Sequence, residues 1–174
     1  MLLTGAPGVG KTTVLIKTAE ALKMQGVSVG GMISREARED GARVGFEITD
    51  LTNNKHGWLA HVNQKSGPQV GKYRVNLQDL ENIGAKAIVE AVEECAVVAV
   101  DEVGPMELFS QRFKQAVKQA LDSRKPVLAV VHAKTKDPLI NEAKQREDAE
   151  IFTVTITNRD GLPEKLRRQA LSVL

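Results

Sequence analysis

The run Gly5-Ala6-Pro7-Gly8-Val9-Gly10-Lys11-Thr12 meets the spacing G-x-x-x-x-G-K-[ST] at every fixed position. Glycine is costly to order and lysine avoids burial, so core packing does not explain them together in so short a stretch. Phosphate binding does. Glycines let successive main-chain N–H groups point into one concavity, and a helix starting at Lys11 turns its positive end toward the anion. Lys11 can then reach the β- and γ-phosphates of a nucleotide, and the Thr12 hydroxyl can ligate the Mg²⁺ that the nucleotide carries. Thr13 falls in the first helical turn, near the α-phosphate.

A second pair of chemical groups follows the apolar run 96–100. Asp101 and Glu102 stand where a strand buried on both faces should end, the edge at which open α/β sheets bind ligands. There Asp101 suits the Mg²⁺ shell, through water, and Glu102 can orient or deprotonate a water that attacks the γ-phosphorus. Asp101 to Gly104 also spells D-x-x-G, the pattern by which switch GTPases bring a main-chain N–H to the γ-phosphate. The guanine-reading N-K-x-D that should accompany it is missing, because Ala133-Lys134-Thr135-Lys136-Asp137 follows the next apolar strand.

A cation that stabilises charge on the transferring phosphate is worth roughly 10³ to 10⁵ in rate. Arg35, Arg38, Arg43, Arg112 and Arg159 are candidates, none of them an obvious finger, so slow basal turnover is expected. Asn158 and Arg159 follow the last strand, where a nucleobase can rest, and base contact is the preferred reading for them. His56, His61 and His132 are too scattered for a metal site and read as solvated or packed imidazoles. Trp58 reads as a hydrophobic anchor, with stacking on a base as the alternative.

These groups need a frame, and the apolar spacing supplies one. Residues 1–4 form a short strand, 11–25 a helix with Gly26 as its stop, and 27–34 a second strand: a β-α-β unit with parallel strands. From 35 to 74 the pattern changes to hairpins, marked by Asp40-Gly41, Asn53-Asn54 and Gly67-Pro68. Helix and strand then alternate again. Asn76 caps a helix to about 92, strand 96–100 follows, Ser110 caps a helix to 122, and strand 126–132 comes next. A short helix over 138–146, strand 151–156 and a closing helix from 163 complete a mainly parallel sheet covered on both faces.

The 174 residues suit one domain, 1–174. The net charge of +2 is spread along the chain without a block of one sign, so nucleic acid is not an expected partner. No stretch approaches the roughly 18 apolar residues of a membrane span. Cys95, the single cysteine, has no internal disulfide partner, and a cytoplasmic protein is the reading.

Beyond these single features, the chain resembles the small P-loop nucleoside-triphosphatase family described from thermophiles, which includes the cancer-related nucleoside-triphosphatase of animals. TGAPGVGKTTV (4–14), GGMISREAR (30–38), RVGFEI (43–48), VGKYRVNL (70–77), VAVDEVGPMELFSQRF (98–113) and TNR (157–159) carry the resemblance. It implies a three-layer α/β P-loop NTPase with a RecA-like strand order and an antiparallel hairpin excursion at about 35–74. It further implies Mg²⁺-dependent hydrolysis of ATP, GTP and other nucleoside triphosphates, with Gly5 to Thr13 on the phosphates, Asp101 in the metal shell, Glu102 on the attacking water and Gly104 near the γ-phosphate. Pro105, Arg35 and Thr157 depart from residues usual in that family. A monomer with loose base preference is expected. The alternatives are a P-loop kinase, which needs an acceptor, and a nucleotide-gated binding module.

Overall fold

The computed structural model describes residues 1–174. Along the chain run β1 (Leu2–Thr4), α1 (Lys11–Lys23), β2 (Val29–Glu39), β3 (Ala42–Asp50), β4 (His56–His61), β5 (Gln69–Val70) and β6 (Tyr73–Val75). Then come α2 (Leu77–Asp79), a π-helical stretch (Leu80–Ala85), α3 (Lys86–Glu94), β7 (Val97–Val103) and a 3₁₀ turn (Glu107–Phe109). The remaining elements are α4 (Gln111–Asp122), β8 (Val127–Val131), α5 (Pro138–Gln145), β9 (Ile151–Thr153) and α6 (Leu162–Ser172).

All nine strands share one sheet, in the order β5-β6-β4-β3-β2-β7-β8-β1-β9. The strands β2, β7, β8, β1 and β9 pair in parallel. This is the RecA-like order, in which β8 separates the loop-bearing β1 from the acid-bearing β7. On one face α1 and α6 bury Leu15, Leu22 and Leu166 against Leu3 and Leu128. On the other, the π-helical stretch, α3, α4 and α5 bury Leu80, Ile88, Phe113 and Ile140 against Met32 and Val100. Helices at their expected apolar spacing thus make the two outer layers.

The hairpin excursion does not stand apart from the sheet. β2 runs to Glu39, five residues beyond the expected end at Ser34, because its second half pairs antiparallel with β3. The two-residue connection Asp40-Gly41 has φ of 48° and 78°, the left-handed pair that a twist-matched hairpin turn requires. β4, β6 and β5 extend this antiparallel wing.

Both expected caps form. The Asn76 side-chain oxygen accepts the Asp79 N–H at 3.1 Å, and Ser110 Oγ accepts the Phe113 N–H at 3.1 Å. The helix after Asn76 differs from the single α-helix expected, since it widens to π geometry over Leu80–Ala85, where Leu80, Ile83 and Ala85 are all buried. β9 is also shorter than expected and stops at Thr153, although the Val154 N–H still bonds Thr4 O at 2.7 Å.

Candidate functional site

At the C-terminal ends of the parallel strands lies a cleft of about 850 Å³. The glycine-rich loop forms its floor through Gly5, Ala6, Pro7, Gly8, Gly10, Lys11, Thr12 and Thr13. Val9, expected in the same role, is outside the lining; its carbonyl accepts the Arg159 Nη1–H at 3.3 Å. Gly5 has φ of 146°, and a Cβ there would lie 2.6 Å from Val154 O, so this turn needs glycine both for its dihedral and for its contact with the chain leaving β9.

Gly10 precedes α1 in a left-handed conformation, with no side-chain cap and no acidic residue in the first turn. The first N–H groups of α1 therefore lack side-chain acceptors and can serve an anion. Lys11 Nζ sits at the mouth of the loop and donates to Gly5 O at 3.1 Å and Ala6 O at 3.2 Å.

Facing the loop, β7 carries Asp101 and Glu102 inside its last turn of pleat rather than after it. Register with β8 is regular up to Val100↔Ala129 and resumes at Val103↔Val131, so the two acids occupy an irregularity that re-aims their side chains. Asp101 is 1% exposed and lies beneath the cleft lining; Glu102 lines the cleft. The buried side-chain oxygens without a hydrogen-bond partner are Thr4 Oγ1, both Asp101 carboxylate oxygens and Glu102 Oε1. All belong to β1 or β7, beside the loop. Native proteins leave few such atoms unpaired, and a cluster of them marks a place made for a ligand or ion.

Burial pushes the Asp101 carboxyl up to about 7, against a pull from the nearby Thr12 hydroxyl; the charge of Glu102 raises it further. Glu102 is also raised by burial, with the positive charge of Lys11 and then of His132 opposing. Glu107, on the 3₁₀ turn, is raised to about 8, again by burial. Gly104 sits between the last two carboxyls: a Cβ on it would lie 3.2 Å from Glu107 Oε2 and 3.4 Å from Glu102 Oε1. Gly104 is itself buried and does not line the cleft.

The other wall comes from the hairpin, through Ser34, Arg35, Glu36, Arg43 and Phe46. Arg43 is held there: it donates to Glu36 Oε1 at 2.9 Å and to the Tyr73 hydroxyl at 2.8 Å, and its guanidinium lies 5.2 Å from the Phe46 ring centre. Arg38 is tied to Glu36 and Gly41 O. The Arg35 side chain makes no hydrogen bond or ion pair and is the free guanidinium of the cleft. Arg112 points to Glu81 at 3.8 Å, away from the lining.

Two expected base contacts find other employment. Asn158 Oδ1 accepts the Thr155 N–H at 2.9 Å and its amide donates to Thr153 O at 2.9 Å, so its side chain is spent on the turn after β9. Arg159 braces the loop instead of lining the cleft, its Cδ lying 3.6 Å from where a Gly10 Cβ would be. Trp58 takes the anchor role, edge-on to His61 at 4.4 Å between ring centres, outside the cleft.

One residue that sequence reasoning passed over does line the cleft. His132 follows β8, the strand between loop and acids. Its place depends on strand order, which the scattered histidine spacing does not reveal. No three His, Cys, Asp or Glu residues are grouped to hold a metal ion by themselves.

Comparison with known proteins agrees with this geometry. The nucleoside-triphosphatase THEP1 of Thermofilum pendens is 49% identical over 174 residues, covering 99% of this chain and 96% of the relative. That of Methanosarcina acetivorans is 50% identical over 173 residues, covering 99% and 97%. Among solved structures, the crystal structure of THEP1 from Aquifex aeolicus superposes with a TM-score of 0.87 at 32% identity, covering 98% of each chain. The solution structure of a human cancer-related nucleoside triphosphatase gives 0.83 at 35%, covering 99% of this chain and 97% of the other. A family model described as NTPase spans residues 1–167, and with the strand order, loop and paired acids already in view, the chain belongs to that NTPase family.

Proposed function

We propose that this protein is a nucleoside-triphosphatase that hydrolyses ATP, GTP and other nucleoside triphosphates to the diphosphate and phosphate with loose base preference. The observation that carries the reading is the juxtaposition of an uncapped helix N-terminus and Lys11 with buried, unpaired carboxylate oxygens on Asp101 and Glu102. The main-chain N–H groups of Gly8 and of Gly10 to Thr13 take the triphosphate tail, and Lys11 exchanges its two loop carbonyls for phosphate oxygens. A Mg²⁺ ion fits the residues present, since Thr12 and the unpartnered Asp101 carboxylate supply hard oxygen donors on one side of the loop; when bound it would neutralise phosphate charge.

Glu102 acts on the water. Burial raises its basicity, so it can accept a proton as the water oxygen bonds to the γ-phosphorus and the bond to the β–γ bridging oxygen breaks. The electron pair leaves with the diphosphate. Loose base preference follows from a wall whose only aromatic ring, Phe46, is already covered by Arg43. Gly104 and Arg159 support the site from behind, one between the Glu102 and Glu107 carboxyls and one against the loop. We take the working form to be a cytoplasmic monomer, in keeping with a single buried cysteine; no helix is long and apolar enough to cross a membrane.

Phosphate release from purified protein with ATP, GTP, CTP and UTP, with and without Mg²⁺, tests the reading. Release should need Mg²⁺, vary modestly among bases and disappear in Lys11→Ala. Because Arg35 and the hairpin wall leave room for an acceptor, the same assay is run with added nucleosides. Diphosphate formation that requires an acceptor would turn the assignment to a kinase.

A further inference from the structure

The two ends of the cleft are built differently. Its floor and its far wall present charge: within the lining Arg43 and Glu36 pair with each other at 2.9 Å, which leaves Lys11, Arg35 and Lys134 set against Glu102. The Arg35 and Lys134 side chains are exposed and make no hydrogen bond or ion pair. Such a surplus of cations over a concavity of main-chain N–H groups attracts a polyanion, whatever that polyanion carries at its other end.

That other end meets the edge of the sheet. β9 is the edge strand and runs beside β1 with Thr153 opposite Thr4, and α1 packs on α6, which follows β9. A triphosphate whose α-phosphate lies near Thr13 therefore sends its sugar and base out over the turn between β9 and α6. That turn is engaged with itself and with the loop. Thr155 and Thr157 share a hydrogen bond at 3.0 Å, the Asn158 amide donates to Thr153 O, and Arg159 Nη1 donates to Val9 O. Ile156, 71% exposed, and Asp160 stand outside the cleft lining. Phe46, the one phenyl ring of the lining, is on the far wall against the Arg43 guanidinium.

We propose that the protein also hydrolyses inorganic tripolyphosphate to pyrophosphate and phosphate, at the same site and without a nucleoside. This rests on the hydrolase reading and extends its substrates from nucleoside triphosphates to the bare triphosphate chain. The step needs no further reactant: the oxygen of water bonds to a terminal phosphorus and the bond from that phosphorus to its bridging oxygen breaks. The electron pair leaves with pyrophosphate, and Glu102 takes the proton of the water. Remote parts of a substrate raise turnover only where the enzyme grips them. A net hydrogen bond is worth about tenfold, so one or two such contacts from sugar and base set the cost of omitting them at about hundredfold or less.

The experiment measures phosphate release from tripolyphosphate and from ATP, each with Mg²⁺, in wild type, Lys11→Ala and Glu102→Gln. Expected is a kcat/KM for tripolyphosphate within about hundredfold of that for ATP, with turnover of both lost in the two variants. Tripolyphosphate should also inhibit ATP turnover competitively, whereas adenosine at about ten times the KM for ATP should leave that turnover within about twofold. A kcat/KM for tripolyphosphate more than about hundredfold below that for ATP overturns the proposal. So does tripolyphosphate turnover that survives in Lys11→Ala, or inhibition by adenosine as strong as by tripolyphosphate. A wild type inactive on ATP would instead overturn the hydrolase reading.

Discussion

Glutamine at position 107 should make the nucleotide-free protein more stable than wild type at alkaline pH, and by an amount that grows as the pH rises. Glu107 is 4% exposed, its carboxyl is pushed from 4.5 up to about 8 by burial, and the charges of Glu102 and Asp101 push the same way while the amides of Glu107 and Gly104 oppose. With a folded value above the unfolded one, the native state holds the extra proton between pH 4.5 and about 8. Stability from this group is therefore complete below 4.5, declines through the interval and is gone above about 8. At 1.36 kcal/mol per pH unit the ceiling is about 5 kcal/mol, and sharing the titration with Asp101 and Glu102 reduces it to on the order of 2–4 kcal/mol. Glu107→Gln keeps the shape and removes the titration.

Urea unfolding of both proteins at several values between pH 5 and 9 measures this directly. With a slope of about 1–3 kcal/mol per molar urea, the midpoint gap should widen by roughly 1–2 M across the range. A gap that stays constant with pH would mean that Glu107 is already ionised in the folded protein, and the electrostatic account of this acid cluster would fail.

Three further outcomes are expected. Glu102→Gln should lower kcat about 10²- to 10⁴-fold with nucleotide affinity retained, measured by phosphate release and equilibrium binding; unchanged turnover would remove Glu102 from the chemistry. Gly5→Ala should cost about 1–3 kcal/mol in unfolding free energy, because a methyl at φ 146° meets Val154 O at 2.6 Å, and a loss under about 0.5 kcal/mol would contradict that packing. Ser110→Ala should cost about 1–2 kcal/mol by removing the cap on Phe113 N–H and the bond from Ser110 Oγ to Glu81 at 2.9 Å; no change in thermal midpoint would deny the cap its role.

What could be read in the sequence was local. The glycine-rich loop before a helix and the caps at Asn76 and Ser110 each depend on neighbours within a few residues and formed as expected, while the acids after the apolar run proved to lie within β7 and not beyond it. What escaped depends on partners far along the chain. The charged run Ser34-Arg35-Glu36-Ala37-Arg38-Glu39 carries no apolar alternation, yet β3 recruits it into a strand and so delivers Arg35 to the cleft. His132 gains its position only because β8 inserts between β7 and β1. Glu107 looks like one more surface acid until the 3₁₀ turn folds it under Gly104. Asn158 and Arg159 were expected directly after the last strand, but β9 stops at Thr153, the turn that follows consumes Asn158 and the loop engages Arg159.

The continuity of β2 bears on how this enzyme can move. Residues 29–32 are laced to β7 in the middle of the sheet, and the same strand, without a break, goes on to Glu39 as the wall that faces the loop. Such a wall behaves as a cantilever beam and not as a flap on a pivot: drawing it inward flexes a hydrogen-bonded ribbon along its whole length. The gap between beam and loop then stays near one fixed width from one nucleotide to the next.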